Sequence, residues 1–207
     1  DPNTPLEETL RALDDLVRWG KVRYIGVSNF TGWQLMKALA ISEKYRWERF
    51  VTLQAQYSLL SRDAEYDLVP LCLDQGLGIL TWSPLSGGFL SGKYRRGQPR
   101  PKGARLSDPN ARFMGFDEEK GFDIVEELDR IAQKHNGTVA QAALNYLLRK
   151  PAVTSVIISA RTPEQLEDNL KTTDWEMIPE EVNRLDELTR LTPIYPHNFL
   201  ANNIHDQ

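Results

Sequence analysis

The stretch Gly78–Tyr94, GILTWSPLSGGFLSGKY, decides how the rest of the chain is read. Its first residues, Gly78 to Thr81, read as a buried strand. The chain then reaches an aromatic, Trp82, and runs through Ser83-Pro84-Leu85-Ser86-Gly87-Gly88 to Lys93. Parallel α/β folds place ligands at the C-terminal ends of their strands, where this aromatic face falls. The small residues after it permit a turn whose N–H groups approach an anion, and the lysine supplies a charge to neutralise one. A Gly/Ser-rich surface turn is the plainer alternative, because the loop lacks a fixed G-x-G-x-x-G register.

Composition narrows the classes. The 207 residues suffice for one substantial core or two small ones. Hydrophobic residues at 41% and charged residues at 26% describe a soluble globular protein. A net charge of −4 with no basic block argues against a nucleic-acid partner. The single cysteine, Cys72, has no internal disulfide partner; it fits a reducing, cytoplasmic setting and reads as a small buried helix residue. No apolar run reaches membrane-spanning length, so no membrane association is expected. The sequence starts at Asp1 rather than Met, which reads as processing, trimming or a fragment.

Outward from Gly78, strands and helices alternate. Thr4-Pro5-Leu6-Glu7 reads as a capping box with proline at the first helical position, and Leu6, Leu10, Leu13 and Val17 form one apolar face closed by Gly20. A strand is expected over Val22–Ser28. A helix opens at Thr31, with Gln34 as its capping partner, and runs to about Tyr45. A strand follows over Phe50–Tyr57, then a helix between Asp63 and Gln75 that Pro70 kinks or forces to start late. The residues from Pro84 to about Phe116 show no periodicity, which suggests a lid rather than a passive linker. Helices are expected from Glu118 to His135, from Thr138 to near Pro151, from Thr162 to about Lys171 and from Pro179 to Leu191. The fourth strand is Thr154–Ser159, and the tail reads as irregular. Four strands with helical crossovers and no hairpin give α/β with parallel strands. An open doubly wound sheet and part of a (β/α)8 barrel both fit.

Four segments carry a family resemblance: GKVRYIGVSNF at 20–30, LQAQYSLL at 53–60, GLGILTWSPLSGGFLSGKY at 76–94 and SARTPEQLEDNL at 159–170. In this order they resemble the aldo-keto reductases, in the branch of longer-loop bacterial and potassium-channel β-subunit-like proteins. The resemblance covers Thr4 to about Leu200. It implies a (β/α)8 TIM barrel of which this chain, residues 1–207, supplies about the last four βα units. The family's catalytic Asp, Tyr, Lys and His would then lie on strands preceding this chain. His135, His197 and His205 do not fall at strand ends, so no residue here inherits a catalytic role.

The resemblance also implies an NADP(H) site. Ser28, Asn29 and Gln54 would hold the nicotinamide carboxamide, which suits short polar groups at strand ends. Trp82 would stack on the ring. Ser83, Pro84, Leu85, Ser86 and Gly87 would wrap the pyrophosphate, with Lys93 adding charge and Arg105 a further phosphate contact. Ser159 and Arg161 precede a helix N-terminus, a natural phosphate site, and Arg161 has the planar fork for a 2′-phosphate. Ser159 stands where the family more often has glycine. Gln165, Asp168 and Asn169 would reach the phosphate or the adenine.

The implied activity is NADPH-dependent reduction of a small carbonyl substrate, with the loop Ser86–Phe116 and the tail around Tyr195–Phe199 shaping the pocket. Two other readings stand beside it: a nicotinamide-binding regulatory subunit with little turnover, and a free-standing flavodoxin-like module. By itself the chain is expected to be catalytically silent. Two open sheet edges and a bare apolar barrel-lining face would pair it with a missing half or with itself.

Overall fold

Among the described residues, the strands lie side by side in chain order, β1-β2-β3-β4, all parallel. The computed structural model describes residues 3–108 and 115–203. His205 and part of the loop expected as a lid therefore lie outside the described residues. The strands are β1 Ile25–Ser28, β2 Phe50–Gln56, β3 Gly78–Trp82 and β4 Val153–Val156. A doubly wound sheet reverses its strand order at a switch point, whereas an unbroken sequential order with right-handed crossovers puts every helix on one face. The sheet thus follows the barrel pattern and not the flavodoxin-like one.

The helices are α1 Leu6–Arg18, α2 Gly32–Tyr45, α3 Leu68–Gln75, α4 Glu118–Lys134, α5 Val139–Leu148, α6 Pro163–Leu170, α7 Pro179–Leu188 and α8 His197–Asn203. Short-range chemistry sets most of their ends. Gln34 accepts the Thr31 N–H at 3.0 Å. Asp117 accepts from the Glu119 and Lys120 N–H groups, and Thr138 and Thr162 cap α5 and α6. The segment expected as one helix over 63–75 divides into a 3₁₀ turn at Asp63–Glu65 and α3. Pro70 thereby falls in a first turn, where its missing N–H costs little. Pro5 sits at the N-cap of α1 rather than inside it.

Other departures have physical causes. Val22–Tyr24 stay out of β1 because β2 offers no partner before Phe50, which pairs with Ile25. The fourth strand starts one residue earlier than expected and ends at Val156. Its ladder with β3 closes with the Ile157 N–H on the Thr81 carbonyl, which frees Ser159 into the approach to α6. The tail is not wholly irregular: α8 follows Pro196, a residue suited to a helix start, and His197 packs on the Tyr66 ring.

The sheet has two unlike faces. Ile25, Val27, Leu53, Ala55 and Ile79 bury themselves against Leu10 of α1, Leu35 and Leu39 of α2 and Cys72 of α3. Burial pushes the Cys72 thiol up to about 11, so this cysteine is a packing residue. A second core joins α4, α5 and α7 to Tyr57, Leu59, Phe89 and Leu90 at the ends of β2 and β3. The opposite face carries Gly26, Ser28, Thr52, Gln54, Gln56, Gly78 and Ser155, with Leu80 and Trp82 as its large apolar residues, and none of these is buried. The expectation of a bare apolar face is therefore corrected. The residues alternate as strand geometry requires, but the inward set is mostly polar or small. No helix among the described residues is long and apolar enough to cross a membrane.

Small and β-branched residues interleave on the open face. A Cβ on Gly26 would lie 2.2 Å from Thr52 Oγ1, and one on Gly78 would lie 2.1 Å from Thr154 Oγ1 and 3.0 Å from its Cβ. Gly78→Ala in the full-length protein is expected to lower stability by about 1–3 kcal/mol through overpacking. Thr154→Ala in the same background should return part of that loss. Urea unfolding measures both; wild-type stability of the single variant would show that these strands do not interleave.

Candidate cofactor site

The C-terminal ends of parallel strands open on one side of the sheet, and the sequence places its polar groups there. Ser28, Gln54, Leu80 and Ser155 are register partners across the four strands. One step further along the same face, Gln56 stands beside Trp82. Asn29, next to Ser28, adopts a left-handed backbone with φ 57°, which asparagine tolerates better than most residues. Its N–H reaches the Gln54 carbonyl at 3.0 Å, and its side-chain Oδ1 accepts from Trp82 Nε1 at 2.9 Å. This bond ties β1 to β3 across β2 and fixes the edge of the indole. Among the described residues no aromatic ring stacks on Trp82, whose side chain is partly exposed. The carboxamide NH2 of Asn29 remains to donate.

The loop after Trp82 turns sharply. Ser83, Ser86, Gly87 and Gly88 all take positive φ, at 56°, 47°, 66° and 88°. Glycine does this freely, whereas each serine costs roughly 1–2 kcal/mol. The Ser86 N–H donates to the Ser83 carbonyl and the Gly88 N–H to the Leu85 carbonyl, both at 2.9 Å. The Ser86 hydroxyl points inward and lies 2.8 Å from the Ser58 hydroxyl. Pro84 is buried with Ser86, while Ser83, Leu85 and Gly87 are half-buried.

Two cations complete the loop. A Cβ on Gly88 would lie 2.5 Å from Lys93 Nζ, so the ammonium sits directly over that glycine. Much of the Lys93 side chain is exposed, yet partial withdrawal of its ammonium from water lowers its pKa, and the nearby Arg161 charge lowers it further. Arg161 donates from Nη1 to the Gly103 carbonyl at 3.1 Å, and its N–H reaches Gln165 Oε1 at 3.0 Å. Three loop arginines are matched by acids: Arg95 by Asp129, Arg96 by Glu119 and Asp123, Arg100 by Glu118. Lys93 and Arg161 are paired with no carboxylate among the described residues.

The structure thus brings together Ser28, Asn29, Gln54 and Trp82, and separately Ser83–Gly87, Lys93 and Arg161. Arg105 opens the short 3₁₀ turn Arg105–Ser107, two residues after the carbonyl that Arg161 holds. Ser159 is exposed ahead of α6. The Asp168 carboxylate faces α5 instead of the loop, accepting from Thr138 Oγ1 at 3.0 Å and Gln141 Nε2 at 2.7 Å. Asn169 is buried. Sequence reasoning overlooked Gln56, although strand alternation from Gln54 points to it. It also overlooked Ser58, for which no local pattern exists.

A partly buried polar cluster offers tyrosine, lysine and aspartate together, the residue types of a proton-donating centre. Tyr146 Oη donates to Asp186 Oδ1 at 2.5 Å and Lys150 Nζ to the same oxygen at 2.6 Å. Arg62 grips Glu65 through two 2.7 Å bonds and reaches Thr189 Oγ1 at 2.6 Å, and Tyr57 Oη donates to Glu65 at 2.6 Å. Burial pushes both tyrosine pKa values up; the hydrogen bonds from Tyr57 to Glu65 and from Tyr146 to Asp186 push the same way, whereas the Arg62 charge opposes them. A catalytic acid needs the opposite shift. The cluster acts as a clamp from the end of β2 to α7.

Comparison with known proteins agrees with this architecture. Residues 1–190 match the model of the Aldo/keto reductase family. The chain is 39% identical over 188 residues to an uncharacterized oxidoreductase, YrpG, of Bacillus subtilis, covering 91% of this chain and 55% of that protein. It is 35% identical over 201 residues to a putative voltage-gated potassium channel subunit beta of Schizosaccharomyces pombe, covering 94% and 58%. It is 29% identical over 189 residues to the versiconal hemiacetal acetate reductase of Aspergillus parasiticus, covering 90% and 54%. The chain spans about half the length of the curated relatives it matches. On the family match and the sequential parallel sheet, the chain belongs to the aldo/keto reductase family.

Proposed function

We propose that this chain is the cofactor-holding part of an NADPH-dependent reductase that converts aldehydes or ketones to alcohols. Its strands would be the fifth to eighth of a (β/α)8 barrel, with the proton donor supplied from outside these residues. The observation that carries this reading is the meeting of Lys93 and Arg161, two cations from different loops with no carboxylate between them among the described residues. An anionic ligand with two separate charged groups would offset their mutual repulsion. A dinucleotide phosphate has that form, with a pyrophosphate for Ser83–Gly87 and Lys93 and a 2′-phosphate for the Arg161 fork.

The residues present fit such a cofactor. Gly88 leaves the space that Lys93 occupies, and a side chain there would displace the ammonium. Trp82, fixed at its edge by Asn29, offers a flat face for the nicotinamide. Ser28, the Asn29 amide and Gln54 would orient the carboxamide, so that one ring face meets the substrate. The bound cofactor supplies the hydride. Turnover in a cytoplasmic, reducing setting suits the single buried Cys72. One relative is named as a channel subunit, but the others are named as an oxidoreductase and a reductase, and no observed feature favours the regulatory reading.

Arg161→Ala in the full-length protein is expected to weaken NADPH about ten- to a hundredfold and NADH little, the effect of one charge-assisted contact. Titration of both cofactors measures it, and equal losses would refute the role of Arg161. Trp82 fluorescence should be quenched on cofactor binding. Quenching that persists at full amplitude in Trp82→Phe would show that one of the other tryptophans is the platform.

A further inference from the structure

We propose that Ser58 is a positioning residue whose hydroxyl latches Ser86 and so holds the Ser83–Gly88 loop in its anion-accepting shape. This rests on the reading of that loop as part of a cofactor site. The two hydroxyl oxygens lie 2.8 Å apart, Ser58 fully buried and Ser86 3% exposed. Ser86 holds φ at 47°, a conformation that an L-residue keeps only when its surroundings enforce it. Gly87 and Gly88 follow at once and restrict the backbone little by themselves; the local turn bonds join main-chain groups, and the Ser86 side chain is held by Ser58.

Ser58 is built to enforce it. Its N–H donates to the Ser61 carbonyl and its carbonyl accepts the Ser61 N–H, both at 3.0 Å, while its Oγ accepts the Leu60 N–H at 3.2 Å. With that lone pair committed, the hydroxyl proton is free to point at Ser86. The preceding residue, Tyr57, donates its N–H to the Trp82 carbonyl at 3.4 Å and its phenol to Glu65. Glu65 is gripped by Arg62, which is held in turn by Asp186 and Thr189. The latch therefore stands on a base that extends to α7. Its other end is the loop beneath Lys93. Neither hydroxyl reaches the open sheet face, so the pair would set how well the loop receives a phosphate without touching the reacting groups.

The test compares Ser58→Ala, Ser86→Ala and the double variant in the full-length protein, with NADPH titrated by fluorescence and thermal unfolding recorded beside it. Each single variant should weaken NADPH about three- to tenfold, the effect of one hydrogen bond. The double variant should be no weaker than the weaker single, because both changes break the same bond. In Ser58→Ala the cofactor KM should rise while kcat at saturating cofactor stays within about twofold of wild type. Should Ser58→Ala fail to fold, Ser58→Cys, which keeps the size but donates weakly, takes its place with the same expected direction. Wild-type affinity in the Ser58 variant overturns the latch. So does multiplication of the two single effects, or a loss confined to Ser86→Ala, which would mean that its hydroxyl meets the ligand directly. A wild-type protein that binds neither NADPH nor NADH defeats the cofactor reading itself.

Discussion

A glycine and a threonine alternate along the row Gly26, Thr52, Gly78 and Thr154, and the space each glycine leaves is filled by the threonine beside it. Backbone pairing alone leaves the register of parallel strands weakly specified. This interleaving, with Val27, Leu53 and Ile79 buried on the other face, specifies it. A slip of one residue would turn those three apolar side chains to the open face and set bulky groups against each other. Because the register holds, Ser28 and Gln54 fall level on one face, with Trp82 one step further along it. The geometry of the candidate site is thus a consequence of packing several residues below it.

Charge is distributed unevenly over the same molecule. On α4, acids meet the arginines of the long loop in exposed pairs, each worth little to stability. At the α7 clamp, buried Arg62 and partly buried Lys150 meet partly buried Glu65 and Asp186, and there every one of these ionised groups has a partner of opposite sign. Burial opposes ionisation of Asp186, but hydrogen bonds from Lys150 and Tyr146 outweigh it and hold the carboxyl below its usual range. Lys93 and Arg161 break the pattern. They stand near one another, their charges in mild opposition, at the mouth of a loop in which two serines are held in a disfavoured conformation. Unmatched charge and local strain at one place are the usual marks of a surface made for a ligand.

Features set by near neighbours in sequence were legible there. The caps at Thr31, Thr138 and Thr162 each depend on a residue three positions on. Asn29 and Trp82 were singled out from the family resemblance, and a hydrogen bond joins them. What escaped was set by residues far apart in the chain. The Ser58–Ser86 bond spans 28 residues, and the Arg62–Thr189 bond spans 127. Asp168 faces away from the loop because α5 offers it two donors, which no inspection of α6 alone reveals. Strand lengths were overestimated because a residue of strand type leaves the sheet where its neighbour ends, as at Tyr24 and Ser159.

The central claim is that the strand ends, the Ser83–Gly88 loop and the Lys93–Arg161 pair form one dinucleotide site. A crystal structure of the full-length protein with NADPH tests it most directly. The nicotinamide should lie on the Trp82 ring with its carboxamide at Ser28, Asn29 and Gln54, the pyrophosphate under Lys93, and the 2′-phosphate in the Arg161 fork. A cofactor bound elsewhere, or bound here with its phosphates away from both cations, would contradict it.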